Sequence, residues 1–281
     1  MIKALIEQGI PIDRVAGVSI GALVGAVWCY NRNTEIVDAI VKNFLDRMTT
    51  PFLYIRSFTL PVVAYTSGHV FNEEVRSFVR DHDMADAWIP LVVVTTDVSD
   101  MLIRVHDIES LWVYVRGSMT LVKYLPAICD PRDGHLLVDG GYCNNLPANL
   151  MKKRGFTRII AADVSAEDSK SFTNYGLTLS GFWYSLSKWL PWIDTIEIPD
   201  MNMRLPYTGQ IIADNENPRS SFSKIFRPPV SGFDTLEFGK CEEIKEIGYN
   251  YAKSRIAELR KEGHFADCEP LQQIPVVQQS Q

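Results

Sequence analysis

Gly17-Val18-Ser19-Ile20-Gly21 lies where a short apolar strand pattern gives way to a helical pattern. A serine between two glycines at a strand-to-helix turn is the arrangement of a nucleophile elbow. Such a turn strains the serine backbone, and side chains two positions before and after it are expected to clash, which explains both glycines. We expect the Ser19 hydroxyl to stand over the helix start, where the Ile20 N–H and the helix dipole stabilise an oxyanion. A glycine-rich turn capped by Ser19 explains the pentapeptide alone equally well.

The composition is that of a globular protein. At 281 residues the chain is long enough for one large α/β domain, and no linker-like segment indicates a second. The net charge of -6 argues against nucleic-acid binding. The five cysteines are scattered and never spaced C-x-x-C, which favours a reducing compartment and predicts no zinc site. An uncharged apolar run of about 18 residues is lacking, so we expect no membrane-spanning segment.

Strand-like and helical patterns alternate along the chain. The helix after Ser19 is predicted to end near Tyr30, and the next, with Thr34 as its cap, covers 35–47. The continuous β-branched run at 91–98 is typical of a strand buried on both faces. Further strands are predicted at 102–105, 136–138 and 158–164, and a final amphipathic helix at 242–260. Because strands alternate with helices, we expect an α/β fold with a mostly parallel central sheet.

Asp139 ends the strand at 136–138 and is followed by Gly140 and Gly141, which are expected to allow a tight turn. In a parallel sheet this carboxylate lies on the same carboxyl edge as Ser19, where active sites of open α/β sheets form. A serine hydroxyl needs a base within hydrogen-bond reach. An Asp-Gly turn explains Asp139 alone, but together with the elbow it is the candidate base.

The histidines offer one alternative. His264 completes the order Ser, Asp, His of an α/β-hydrolase triad, so a triad with Ser19 and Asp139 stays open. His106 follows a predicted strand and is placed to face the same edge. His135 precedes the strand that ends at Asp139, so it is expected at the far end of that strand.

Two irregular regions carry many aromatic residues. Residues 48–72 contain prolines and aromatics and are interpreted as a lid or wall. Residues 181–192 hold three of the six tryptophans, which suits a lipid interface or, as we favour, a loop packed on the body.

Gly17-Val18-Ser19-Ile20-Gly21 together with Asp139-Gly140-Gly141 resembles the patatin-like phospholipases, which use a Ser–Asp dyad without histidine. The resemblance is closer still to the neuropathy target esterase group of lysophospholipases. It extends over nearly the whole chain, including VRGSMTL at 115–121, CDP at 129–131 and GYCNNLPA at 141–148.

This resemblance implies a three-layer α/β/α fold and hydrolysis of the acyl ester of lysophosphatidylcholine or phosphatidylcholine to fatty acid and glycerophosphocholine. It implies Ser19 as nucleophile and Asp139 as base, with no metal and no cofactor. The expected partners are the phospholipid substrate and a membrane surface, at the cytosolic face of the endoplasmic reticulum. The oligomeric state is left open.

The chain also departs from the family pattern. Family members carry a Gly-rich oxyanion loop between the first strand and the helix that here begins at Met1, and no such stretch is present. We therefore expect a catalytic domain over 1–262 that lacks its first strand and this loop, and a flexible tail over 263–281. The Ile20 N–H then remains as oxyanion donor, and each lost donor costs about 10²- to 10³-fold. A catalytically silent module that binds lipid or a partner is the alternative.

Overall fold

The computed structural model describes residues 1–48, 57–60, 62–164, 176–181, 184, 223–230, 232–233 and 238–269. The helices are α1 (Ile2–Glu7), α2 (Ile20–Asn31), α3 (Thr34–Met48), α4 (His69–Val79), α5 (Leu111–Ser118), α6 (Gly141–Asn144), α7 (Ala148–Lys153) and α8 (Cys241–Lys261), with short 3-10 helices at Met84–Asp86 and Phe238–Lys240. The strands are β1 (Val15–Gly17), β2 (Leu91–Asp97), β3 (Leu102–His106), β4 (Ile128–Cys129), β5 (Leu136–Asp139), β6 (Ile160–Ala162) and β7 (Lys224–Phe226).

Strand β2 is the centre of the sheet, and all seven of its residues are buried, as its β-branched run predicts. β1 pairs with β2 in parallel, whereas β3 and β5 pair with β2 antiparallel and β4 pairs antiparallel with β5. β6 and β7 form a separate parallel pair. The α/β class is confirmed, but the expectation of a mostly parallel sheet is wrong, because the five-stranded sheet is mixed.

Helices cover both faces of β2. Its alternate residues Leu91 and Val93 pack in a core shared with α2, α3, α4 and α5. Val92 and Val94 face the other way, where they contact Val18 and, at the edge of the cluster, Leu150 of α7. This alternation follows from the two-residue period of a strand, and it produces the three layers that the family resemblance implies.

Helix α2 lies directly on the sheet. A Cβ on Gly25 would lie only 3.0 Å from Val15 Cγ1 and 3.4 Å from Leu91 Cδ1, so a larger side chain there requires its neighbours to move. The small residue therefore fixes the distance between α2 and β1, and with it the place of Ser19 between them.

Helices α1 and α8 form a second core with β7, built from Ala4, Leu5, Ile10, Phe226, Ala252, Ile256, Leu259 and Cys268. Cys268 lies in the stretch expected to be a flexible tail, yet it is buried and its carbonyl accepts a hydrogen bond from Arg260 Nη1 at 2.8 Å. Residues 270–281 lie outside the described part of the chain.

The observed limits of helices and strands match the predicted ones where capping or periodicity is clear, and they differ by a few residues elsewhere. Helix α2 ends one residue beyond the predicted Tyr30. Asn33, and not Thr34, caps α3, because its Oδ1 accepts from the N–H groups of Glu35 at 2.8 Å and Ile36 at 3.2 Å. The strand expected at 158–164 is shorter, as β6. Of the two aromatic regions, 49–56, 61, 182–183 and 185–192 lie outside the described residues.

All five cysteines are free. None of the helices in the described part of the chain combines the length and apolarity needed to cross a bilayer.

Candidate active site

Strands β1 and β5 end head to head along one edge of β2. β3 occupies the other edge over Val93–Asp97, so β1 and β5 share the remaining one. β1 runs along it in parallel and ends with Gly17 opposite Val93, while β5 arrives from the opposite direction and ends with Asp139 opposite Thr95. Ser19 follows Gly17 by two residues, so it and Asp139 both lie where the two strand ends approach each other. The two candidate residues therefore meet because two strands of opposite direction converge, not because both leave a parallel sheet at one edge.

The Ser19 backbone has the strained geometry of an elbow, with φ 52° and ψ -127°. A non-glycine residue rarely adopts such a φ, and strain of this kind clusters at functional sites. A Cβ on Gly17 would lie 2.6 Å from both Ala22 Cα and the Gly21 carbonyl oxygen, so glycine is required there. The same explanation for Gly21 is wrong, because a Cβ on Gly21 would meet nothing within 4 Å.

The Ser19 side chain is half-buried at the N-terminus of α2. In this first turn, the Gly21 N–H donates to the Val18 carbonyl at 2.9 Å and the Ala22 N–H to the Ser19 carbonyl at 2.9 Å. Among the described residues, we find no acceptor for the Ile20 N–H. This donor is therefore free to meet a bound anion, and its role in an oxyanion hole stays a prediction.

Asp139 is buried, with 3% of its surface exposed. Its Oδ1 accepts a hydrogen bond from the Gly141 N–H at 2.8 Å. Oδ2 has no partner of good hydrogen-bond geometry in the described chain, although the Ser19 hydroxyl lies close enough to act on the carboxyl. Burial raises the pKa of Asp139 to about 6, and the Gly141 N–H and the Ser19 hydroxyl lower it in part. The carboxyl is thus a stronger base than an exposed aspartate.

Gly140 is needed for close approach to β2, not for the tight turn that we expected. Its backbone is ordinary right-handed helix, with φ -65°. A Cβ on Gly140 would lie 2.3 Å from the Val94 carbonyl oxygen. A Cβ on Gly141 would lie 3.1 Å from Asp139 Oδ1, so the second glycine keeps space beside the carboxylate.

Ser118, Thr120 and Thr96 hold the backbones of Ser19 and Asp139, and no sequence pattern pointed to them. Ser118, at the end of α5, accepts a hydrogen bond from the Ser19 N–H at 2.9 Å. The Thr120 carbonyl accepts from the Asp139 N–H at 3.0 Å, and Thr96 Oγ1 donates to the Asp139 carbonyl at 2.9 Å. These contacts join residues far apart in the chain, so no local pattern marks them.

His106, His135 and His264 make no hydrogen bond to Ser19 or Asp139 within the described residues. His106 is fully buried, its Nε2 lies 2.8 Å from Thr95 Oγ1, and burial lowers its pKa to about 3. The expectation that it faces the active edge is therefore wrong, since it is a neutral core residue stacked on Tyr114. His135 pairs with Asp97, its Nδ1 2.9 Å from Oδ2. His264 lies beside Glu262, with 3.9 Å between Nε2 and Oε2.

Asp97, Asp100 and His135 bring their ligand atoms within 4.8 Å of one another, which is close enough for a metal ion. A cation already occupies this place, because Arg104 Nε lies 2.6 Å from Asp97 Oδ2. The same guanidinium also contacts the buried Asp130 at 2.8 Å. We therefore interpret the group as an ion-pair network that holds β3 against the β4–β5 hairpin.

A groove of about 2060 Å³ runs beside β1 and reaches Ser19. It passes between α1, α7, β6 and α8, and its walls include Ile2, Val24, Met151, Ile160 and Tyr249. Asp139 is not among its lining residues, so the groove approaches Ser19 from the β1 side.

Comparisons with known proteins agree with this geometry. A family model described as patatin-like phospholipase matches residues 1–152. The chain is 42% identical over 268 residues to neuropathy target esterase sws of Drosophila melanogaster, covering 94% of the chain and 19% of that protein. The proteins of the same name in Drosophila sechellia and Drosophila willistoni are 36% and 37% identical over 307 residues.

The chain spans about a fifth of the length of these curated relatives. The family match includes both the Ser19 elbow and the Asp139-Gly140-Gly141 turn, and it covers more than half of the chain. The chain belongs to the patatin-like phospholipase family.

Proposed function

We propose that this chain is a serine esterase that hydrolyses the acyl ester of lysophosphatidylcholine or phosphatidylcholine to fatty acid and glycerophosphocholine. The observation that carries the proposal is the pairing of a strained, half-buried Ser19 with a buried Asp139 whose pKa is raised to about 6. A base with a pKa near the working pH transfers protons efficiently in both directions. The relatives named as esterases support ester hydrolysis.

In the proposed reaction, Asp139 takes the Ser19 proton as Oγ bonds to the ester carbonyl carbon, whose oxygen becomes an oxyanion facing the Ile20 N–H. When the tetrahedral intermediate collapses, the carbon–oxygen bond to the glycerol moiety breaks and Asp139 returns its proton to the leaving alkoxide. Water then attacks the acyl-Ser19 carbonyl while Asp139 accepts a proton from it. Fatty acid leaves, and Ser19 regains its proton.

The groove beside β1 suits the acyl chain of such a substrate, because apolar side chains line it up to the nucleophile. We further propose that 1–262 form the catalytic domain and that the chain acts at a membrane surface, at the cytosolic face of the endoplasmic reticulum. The phospholipid named in the family description supports a membrane-borne substrate.

We expect a fluorophosphonate probe to label the chain on Ser19 and Ser19→Ala to abolish labelling and release of fatty acid from lysophosphatidylcholine. Ser254→Ala, which alters an exposed serine on α8, is the matched control and should keep both. Mass spectrometry of the labelled peptide and a fatty-acid assay measure the two results. Hydrolysis that persists in Ser19→Ala would refute the proposal.

A catalytically silent lipid-binding role is the second candidate, and the first turn of α2 favours it. The N–H groups of Gly21 and Ala22 are already bonded, so the Ile20 N–H is the free donor that we identify there. One donor stabilises an oxyanion less than two or three do. Binding to phosphatidylcholine vesicles without turnover, equal in wild type and Ser19→Ala, would favour this role.

His264→Ala distinguishes the Ser–Asp dyad from the triad that the sequence left open. Because His264 is partly exposed and its imidazole lies beside Glu262, we expect kcat/KM within about twofold of wild type and stability within about 0.5 kcal/mol. Esterase assays and urea unfolding measure both. Loss of activity in a folded His264→Ala variant would contradict the dyad and support a triad of Ser19, Asp139 and His264.

A further inference from the structure

The end of α5 contacts both members of the dyad. The Ser118 hydroxyl accepts a hydrogen bond from the Ser19 N–H at 2.9 Å, and two residues later the Thr120 carbonyl accepts from the Asp139 N–H at 3.0 Å. Both bonds hold the backbone of the reacting residues, not their side chains. The segment 118–120 therefore determines how the Ser19 elbow and the Asp139 turn are spaced.

Ser118 fills a break in the pairing of β2. β1 ends opposite Val93 and β5 ends opposite Thr95, which leaves Val94 between the two strand ends. The Ser118 hydroxyl donates to the Val94 carbonyl at 2.7 Å while it accepts from Ser19. A hydroxyl has one donor and two acceptor sites, and here the donor and one acceptor link the elbow to the centre of the sheet.

The bond from Ser19 stabilises a backbone that would otherwise relax. A serine at φ 52° carries conformational strain, which persists only where its surroundings hold it. Ser118 is fully buried, so water cannot replace its hydroxyl as the acceptor for the Ser19 N–H without entering the core.

The segment is itself held rigidly. Arg116 is buried at 1% exposure, and its Nε donates to Asn72 Oδ1 at 2.6 Å while its Nη1 donates to Thr120 Oγ1. Its guanidinium also lies over the Phe71 ring, 5.3 Å from the centroid. With this anchor, a change at Ser118 displaces the elbow more readily than it displaces α5.

We infer that Ser118 is a positioning residue, whose hydroxyl orients the Ser19 elbow toward Asp139. The catalytic consequence rests on the proposed esterase function, while the orientation of the elbow does not. A misplacement of about 1 Å at a reacting group costs on the order of 100-fold in rate.

Ser118→Ala should lower kcat by about 10- to 100-fold with KM within about twofold, because substrate contacts are unchanged. Ser118→Thr, which keeps the hydroxyl, should recover most of kcat. Tyr114→Phe is the matched control, since it removes another buried hydroxyl of α5, which donates to Asp130 Oδ1 at 2.9 Å, at the end of β5 opposite Asp139. Each assay is run at a temperature where unfolding curves show the variant folded.

Amide hydrogen exchange tests the orientation without turnover. In Ser118→Ala the Ser19 amide should exchange at least about tenfold faster, while the amides of α8 keep their rates and Tyr114→Phe leaves the exchange of the Ser19 amide unchanged. If Ser118→Ala does not fold, Ser118→Cys, with its weaker hydrogen bonds, is expected to change exchange in the same direction.

Unchanged exchange at Ser19 in these folded variants would overturn the inference. A wild-type kcat in Ser118→Ala would also overturn it. The same holds if the kcat of Ser118→Thr is no higher than that of Ser118→Ala. If the wild-type chain neither hydrolyses esters nor reacts with the fluorophosphonate, the proposed function fails, and the exchange experiment still decides whether Ser118 orients the elbow.

Discussion

Asp139→Asn is expected to abolish ester hydrolysis and, at neutral pH, to make the folded chain more stable. Asparagine cannot accept the Ser19 proton, so kcat/KM should fall by about 10³-fold or more, toward the upper range for a lost general base. The stability gain follows from the position of Asp139, because a buried carboxylate without a cationic partner is costly in its charged form.

The direction of the pKa shift of Asp139 explains why Asp139→Asn should stabilise the fold. Burial raises the folded-state pKa of Asp139 from 3.8 to about 6, so the folded chain holds this proton more tightly than the unfolded chain does. The resulting stabilisation is present below pH 3.8 and is lost as the pH rises through about 6. Two pKa units correspond to about 3 kcal/mol. Asp139→Asn does not ionise, so it should gain about this much at pH 8 and almost nothing at pH 4.

Urea unfolding at pH 4 to 8 measures the stability, and kcat/KM over the same range should rise in wild type with a midpoint near the Asp139 pKa of about 6. Asp130→Asn is the contrasting control. Burial alone raises the pKa of Asp130, but Arg132 and Tyr114 outweigh this and hold it well below its usual range. The ionised Asp130 carboxylate stabilises the fold at neutral pH. Asp130→Asn removes this charge and should therefore destabilise the fold by about 3 kcal/mol. Equal stability of Asp139→Asn and wild type at pH 8 would contradict the prediction.

The pairing of Ser19 with Asp139 was predictable from the sequence, but the stated reason for it was wrong. Alternation of strands and helices suggested a parallel sheet, whereas β5 runs against β2. A usable signal lay in Asp133-Gly134, where Gly134 has φ 79° in the short connection between β4 and β5. An Asp-Gly between two apolar runs predicts a hairpin, which makes β4 and β5 antiparallel and already argues against a mostly parallel sheet, although it does not fix the direction of β5 relative to β2.

Sequence patterns within a single segment predicted the limits of helices and strands accurately. Helix α8 and strand β2 follow their predicted limits within one or two residues, because periodicity and β-branching act within each segment. The contact from Ser19 to Ser118 joins residues 99 positions apart, and periodicity carries no information at that separation. The raised pKa of Asp139 could not be predicted from the sequence either, because it results from burial of the carboxyl by elements that are distant in the chain.

Gly17→Ala and Gly21→Ala should have opposite effects, although a simple elbow motif treats the two glycines alike. The Gly17 Cβ would lie 2.6 to 2.7 Å from Ala22 Cα, Gly21 O and Ala22 N, all backbone atoms of the elbow and α2. Backbone this tightly packed cannot rotate aside as a flexible side chain does, so the start of α2 must shift away from β1.

We expect Gly17→Ala to destabilise the fold by about 3 to 4 kcal/mol and to abolish fluorophosphonate labelling of Ser19. Gly21 lies in the first turn of α2 with open space around it, so Gly21→Ala should cost nothing and add up to about 1 kcal/mol through the higher helix propensity of alanine. Thermal and urea unfolding of the two variants, with circular dichroism as the signal, measure the difference. Equal destabilisation by both substitutions would contradict the prediction. It would mean that the space around Gly21 is filled in solution, so that a side chain there clashes as one at position 17 does.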